Sequence, residues 1–179
     1  MKRQLIVAKF KENLAWLSNI DIPSVIYDKS QDIPNVGYEA HTYLYHIVNH
    51  WNELADISIF TQGNPYDHCI DFNQKILNIP DDVKFINIHN GGTFHSDYVG
   101  RPHHTSLDLS KLWHVLSPLP LPKRMTFHAG AVFVVALERI RLYPFESYQT
   151  LLGMIITKDD ACAMERLWKY IFNYPIKSL

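Results

Sequence analysis

Asn35-Val36-Gly37-Tyr38-Glu39-Ala40-His41-Thr42-Tyr43-Leu44-Tyr45-His46-Ile47 opens the stretch that decides the fold, and Phe60-Thr61-Gln62-Gly63-Asn64-Pro65-Tyr66-Asp67-His68 closes it. After the Asn-Val-Gly turn, Ala40, Tyr43, Leu44, Ile47, Val48 and Trp51 recur at helical spacing. The spacing predicts a helix over 38–51, with Glu39, Thr42, His46 and His50 nearer its polar side. Residues 57–60 then read as a strand, which stops at a cluster of amide, carboxylate and imidazole side chains. In open α/β sheets ligands sit outside the carboxyl ends of strands, so this cluster is a candidate site.

Outward from there, 5–10 reads as a short buried strand broken by Lys11-Glu12-Asn13. Leu14, Trp16 and Leu17 begin a helical turn. Further strands are expected at 24–27, 83–88 and 129–135, and short helices at 108–116, 137–142 and 145–152. Residues 95–106 read as irregular. A last helix, capped by Asp159 or Asp160, carries the stripe Met164, Leu167, Trp168, Ile171 and Phe172. Strands alternating with helices imply an α/β fold with a mostly parallel sheet flanked by helices. With no repeat or linker, and with Ser117-Pro118-Leu119-Pro120-Leu121-Pro122 read as an internal loop, one domain over 1–179 is expected.

The chain of 179 residues is long enough to bury a core without staples. Hydrophobic residues make up 47% and charged residues 20%, the balance of a globular rather than a disordered chain. A net charge of -1 gives no reason to expect a nucleic-acid partner. Cys69 and Cys162 are too far apart for a zinc spacing or a disulfide framework and read as small apolar residues. The apolar run after Met1 is too short for a signal peptide or a membrane helix, so the expected location is cytoplasmic. Gly-rich phosphate loops, nucleophile elbows and H-E-x-x-H helices do not occur in the sequence.

Two resemblances add to this reading. Leu5-Ile6-Val7-Ala8-Lys9-Phe10-Lys11-Glu12-Asn13 resembles the opening strand of GT-A glycosyltransferases, with Glu12 and Asn13 in the reverse order of that family's Asn-Glu pair. Asn35-x-Gly37 resembles their N-x-G turn, and 57–60 resembles the strand that ends in the metal-binding D-x-D. Over nearly its whole length the chain also resembles a bacterial and viral domain family of unknown function. The motifs that carry this are Glu39 to Ile47, Phe60 to His68, His128 to Val134, and Glu165 to Trp168. The glycosyltransferase resemblance implies a GT-A-like, Rossmann-like sheet that moves a sugar from a nucleotide-sugar donor to a glycan acceptor. It implies donor contacts from Glu12, Asn35, Gly37, Glu39, Gln62, Asn64 and Arg101. Mn or Mg would be held at Asp67 and His68, unless the site works without metal. His128 and Glu165 would be the catalytic pair, with Glu165 the base.

Each residue also has a plainer reading. The D-x-D position holds Gln62-Gly63-Asn64, with no carboxylate, and amide oxygens are weak ligands. Asp67 and His68 either replace the missing acids or hydrogen-bond a polar turn. Glu12 and Glu39 either meet ligand or favour helix starts electrostatically. His46 and His50, at i and i+4, either ligate metal or form a surface pair. His89, His95, His103 and His104 follow no zinc spacing; they and Arg101 either touch sugar or phosphate or are loop residues. His128 either contacts ligand or ends a loop. Glu165 is either a base or a solvated acid paired with Lys169 at i+4. The alternatives to a transferase are a non-catalytic carbohydrate or nucleotide binding module and a metal-dependent hydrolase.

Overall fold

The structure, a computed structural model, describes residues 1–173; residues 174–179 of the expected domain lie outside the described residues. In chain order the elements are β1 (Arg3–Lys9), β2 (Ser24–Asp28), α1 (Tyr38–Asn49), β3 (Ile57–Gln62), α2 (Phe72–Leu77), β4 (Phe85–Asn87) and β5 (Phe94–Asp97). Then come α3 (Leu109–Leu116), β6 (Arg124–Phe127), β7 (Phe133–Ala136), α4 (Leu137–Ile140), α5 (Phe145–Met154) and α6 (Lys158–Asn173). Single 3-10 turns occupy Ala15–Asn19 and Pro65–Asp67.

Five strands form the main sheet in the order β2-β1-β3-β7-β4. β1 runs parallel to β2 and β3, with Leu5 opposite both Ser24 and Ile59. β7 is antiparallel to both of its neighbours, pairing Phe133 with Phe60 and Val135 with Phe85. β4 therefore points the same way as β1, β2 and β3, and the sheet is mostly parallel with one reversed strand. The mixed α/β class agrees with the sequence expectation.

Because strand side chains alternate, the sheet has two buried faces. Ile6, Ala8, Phe60, Phe133 and Val135 face a core shared with α1, α3, α5 and α6. Leu5, Val7, Ile57, Ile59 and Val134 face a smaller core closed by Trp16 and by Phe72 and Ile76 of α2. Both faces being covered is why these strands read as continuous apolar runs. The last helix buries its whole expected stripe, Met164, Leu167, Trp168, Ile171 and Phe172. Thr157 and Asp160 cap it reciprocally: Asp160 Oδ2 accepts from the Thr157 N–H at 2.8 Å, and Thr157 Oγ1 from the Asp160 N–H at 3.2 Å.

The structure corrects four local expectations. The run expected as a strand over 129–135 is extended only from Phe133, because Gly130 and Ala131 have left-handed backbone, φ 95° and 42°. The irregular stretch 95–106 contains part of β5, which pairs with β6 in a separate two-stranded sheet; β5, Phe94-His95-Ser96-Asp97, lacks the apolar alternation that flags a strand, while the four residues of β6 alternate but were not read as one. The main helix stops at Asn49 rather than 51. Thr42 and His46, expected on its polar side, are buried. His46 Nδ1 lies 2.9 Å from the Tyr27 hydroxyl and its ring stacks on His50 at 4.8 Å. Burial, and then His50, push the His46 imidazole down to about 3, so His46 is a core residue rather than half of a surface pair. Among the described residues no helix is long and apolar enough to cross a membrane.

Phe133 is the hub of the larger core, with ring centroids 5.2 Å from Phe60 and Trp168, 5.6 Å from Tyr43, and 5.7 Å from Phe85 and Phe172. Phe133→Ala is expected to cost about 3–5 kcal/mol, the usual range for emptying a packed aromatic site. Urea unfolding checks this; a loss below 1 kcal/mol would show that the neighbouring rings collapse into the space.

Candidate functional site

At the carboxyl ends of β1 and β2 lies a cleft of about 360 Å³, lined by Glu12, Lys29, Asn35, Gly37, Tyr38 and Glu39, with Ala8, Phe10, Val36 and Ile156. β1 positions Glu12 through a left-handed turn at Lys11 (φ 68°), after which the Glu12 carboxylate accepts from the Phe10 N–H. The same carboxylate packs on Gly63, where a Cβ would stand 2.5 Å from Glu12 Oε2. β2 ends at Asp28, which pairs with Lys9 across the strands. The Lys9 and Ser30 hydrogen bonds hold the Asp28 carboxyl down at about 2.

Lys29, the next residue, is only 6% exposed. Its Nζ donates to Val36 O at 2.6 Å and to Tyr38 O at 2.5 Å. Those carbonyls bracket Gly37 (φ 55°) and Tyr38 (φ 48°), both left-handed. Gly37 has no room for a side chain, since a Cβ there would lie 2.5 Å from Ile155. Tyr38 is half exposed and pays for its left-handed backbone, a conformation that side-chain-bearing residues hold only where surroundings dictate it. Lys29 thus clamps the turn that delivers Glu39 to the cleft.

A second cleft, about 480 Å³, adjoins the first and shares Tyr38 and Glu39 with it. Its other charged or polar walls are Gln62, His68, Lys158, Cys162 and Glu165, and its floor includes Ala129, Gly130 and Ala131. His68 lies flat against Gly130, leaving no space for a Cβ there. Glu165 comes from α6 with its side chain 22% exposed. Its Oε1 accepts the Gly130 N–H at 2.7 Å, and Oε2 lies 3.3 Å from Arg166 Nη1. Burial raises the Glu165 carboxyl above its ordinary range, Glu39 adds to the rise, and Gly130, Arg166 and His68 oppose it. Lys169, expected to pair with Glu165, instead donates to Thr126 Oγ1 at 2.8 Å.

The structure does not put Glu12, Gln62, Asn64, Asp67 and His68 in one cleft, as their common place after strand ends suggested. Glu12 lines the first cleft, with Asn35, Gly37 and Glu39. Gln62 and His68 line the second, with Glu39 and Glu165. Asn64 and Asp67 line neither: they bond each other, Asn64 Nδ2 donating to Asp67 Oδ1 at 2.8 Å in the 3-10 turn. Arg101 is exposed and ion-paired with Asp97 at 2.8 Å, away from both clefts. His128 stacks on His89 at 4.2 Å, outside the walls of either cleft, and burial lowers both imidazoles.

A metal at Asp67 and His68 was the expectation from the resemblance. Among the described residues no group of three or more His, Cys, Asp or Glu side chains could hold an ion. Asp67 is committed to its turn, and His68 to its contact with Gly130. This donor set does not fit a resident metal ion.

Sequence reading missed Lys29, Phe10, Tyr38 and Ile156 in the first cleft and Lys158 and Cys162 in the second. Lys29 had a signal, since it follows β2 as Glu12 follows β1. Lys158 and Ile156 had none, because the packing that brings the segment before α6 against the Gly37 turn is not written locally.

Fold and clefts together define a mixed α/β protein with paired ligand-sized clefts at the carboxyl edge of its sheet. The chain belongs to the family described as protein of unknown function (DUF3431), whose sequence pattern matches residues 5–178. Searches of the curated proteins and of the solved structures find no match.

Burial pushes Lys29 down to about 8 from the ordinary 10.5, with Glu39 opposing. The fold therefore favours the neutral amine. Stability from this group is present above the unfolded value and is lost as the pH falls through about 8. Wild-type stability is expected to gain on Lys29→Met between pH 10.5 and 8 as the pH rises, and to run parallel to it below pH 8. Urea midpoints across that range check the difference; parallel curves throughout would show that burial does not lower the proton affinity of Lys29.

Proposed function

We propose that the protein is a glycosyltransferase of GT-A-like architecture, moving a sugar from a nucleotide donor to a hydroxyl of a glycan acceptor. The observation that carries this is Glu165: a buried carboxylate with a raised proton affinity, lining one of two clefts that share a wall. A base is most effective when its proton affinity approaches the working pH, and burial is the ordinary way to raise a carboxylate. The nucleoside would occupy the first cleft against Glu12, Asn35 and Gly37. The diphosphate would face Gln62 to His68, where Lys158 and His68 offset its charge. The acceptor hydroxyl would reach Glu165, which takes its proton as the hydroxyl oxygen attacks the sugar carbon and the nucleoside diphosphate leaves.

The order of the sheet supports the same reading. A mostly parallel sheet with one reversed strand gathers the ends of β1, β2, β3 and β4 at one edge, where ligands of open α/β sheets bind. A non-catalytic binding module uses the same first cleft, and turnover separates it from a transferase. A metal-dependent hydrolase has less support, because its donors Asp67, His68 and the loop histidines do not converge among the described residues.

Calorimetric titration with a panel of nucleotide sugars, with and without Mn, is the first test. Binding of a nucleoside diphosphate sugar is expected in the first cleft, weakened tenfold or more by Glu12→Ala; absence of binding under every condition would leave the transferase reading without support. Glu165→Gln is then expected to lower kcat by about a hundredfold or more, with donor affinity unchanged, since a base acts in the chemical step. A Glu165→Gln enzyme with wild-type turnover would assign the carboxylate to packing alone.

A further inference from the structure

Arg166 is the most deeply buried cation in the described chain, 1% exposed on the core side of α6. Neighbours one residue apart on a helix point about a quarter-turn or more away from each other and do not normally meet. Here they do. The Arg166 side chain folds back along the helix, Nη1 donating to Cys162 O and reaching Glu165 Oε2 at 3.3 Å. The guanidinium lies 4.3 Å above the Phe127 ring, which fixes its plane. Its Nε has no hydrogen-bond partner among the described residues.

A guanidinium buried in this way is a poor choice for stability alone. Desolvation of the charge offsets most of the attraction, and an apolar side chain of similar volume commonly serves the fold as well. What the charge does here is face the one carboxylate of the second cleft that is itself largely buried. The other groups around Glu165 are few: Glu39 opposes its ionisation, His68 favours it, Cys162 is a thiol whose own ionisation Glu165 opposes, and Lys158 lines the same cleft. Among the described residues, the titratable groups that interact with Arg166 are Glu165, Cys162 and His104.

We propose that Arg166 is the positioning residue of Glu165: braced on Phe127 and on the Cys162 carbonyl, it fixes one carboxylate oxygen while the Gly130 N–H fixes the other, so that the group is presented to the second cleft ionised and in one orientation. Both oxygens are then held from outside the cleft, one by a neutral donor and one by a cation. The arrangement resembles an acid clamped between two donors and differs from a free surface carboxylate in having no rotational freedom. Its purpose at that cleft rests on the transferase reading; the clamp itself is a property of the two side chains and can be read without substrate.

The test is a carbon-13 titration of the Glu165 carboxyl in the full chain, assigned by its loss in Glu165→Gln. Arg166→Met is expected to move the midpoint up by about one pH unit, a tenfold rise in proton affinity, and Arg166→Lys to bring it most of the way back. A folded Arg166→Met protein with an unmoved midpoint overturns the proposal. Should Arg166→Met not fold, Arg166→Gln and the Glu165→Gln/Arg166→Gln pair complete a thermal-unfolding cycle. The double variant is expected to be more stable than the sum of the single changes allows, and additive shifts overturn the pairing. Where turnover can be measured, the acid limb of kcat follows the carboxyl midpoint from variant to variant. A midpoint that moves while no transfer occurs with any donor leaves the clamp standing and removes the transferase. Turnover whose acid limb ignores the midpoint overturns the assignment of Glu165 as the base that the clamp presents.

Discussion

The packing of Phe133 against five other rings is the constraint on which the rest of this structure depends. β7 is short, reversed and buried on both faces; backbone ladders tie it to β3 and β4, and side-chain fit fixes what packs over it. Phe133 supplies that fit by touching Tyr43 of α1, Phe60 of β3, Phe85 of β4 and Trp168 and Phe172 of α6. The same contacts decide where α1 and α6 sit. With α1 and α6 pinned to one ring, Glu39 at the start of the first and Glu165 along the second arrive at the same cleft. Aromatic packing outside both clefts thereby sets the spacing of the carboxylates.

The polar features of the two clefts are built on top of that frame, mostly by backbone. Gly130 gives its N–H to Glu165, its missing side chain to His68, and its left-handed turn to the entry of β7. Lys29 gives two of its three hydrogens to carbonyls on either side of a strained turn. In both places a conformation that most residues avoid is held by a single polar partner, and the partner is itself part of the cleft. That coupling between local strain and ligand-facing groups is what a pre-organised binding surface requires.

Much of the frame was legible in the sequence, for a simple reason. A strand covered on both sides must be apolar throughout, and a helix that buries one stripe must repeat it every three or four residues. Hence β1, β3, α1 and α6 could be read directly. β5 could not, since Phe94-His95-Ser96-Asp97 has no such pattern; β6 buries Met125 and Phe127 in alternation, but over only four residues beside a Pro-rich loop. The start of β7 was misplaced because apolar Ala131 looks like strand while its backbone turns the other way. In the clefts, Glu12, Gln62 and His68 were found from their places after strands and Glu165 from the resemblance, while Lys29 after β2 and Lys158 at the start of α6 were missed. Asp67 shows the reverse error, a residue beside the right strand whose carboxylate is used up by Asn64 in the turn.

Tyr38 and Glu39 belong to both clefts at once. They form a party wall, and a party wall cannot be rearranged for one occupant alone. Whatever a molecule in the first cleft does to the angle of the Tyr38 ring or to the charge on Glu39 is felt by a molecule in the second. Thermodynamic linkage makes that influence mutual, each occupant altering the other's affinity by one and the same factor. Lys29 sits at the root of the wall, and Glu39 is the charge it feels most. Occupants of the two clefts would thus be coupled through a single turn of backbone.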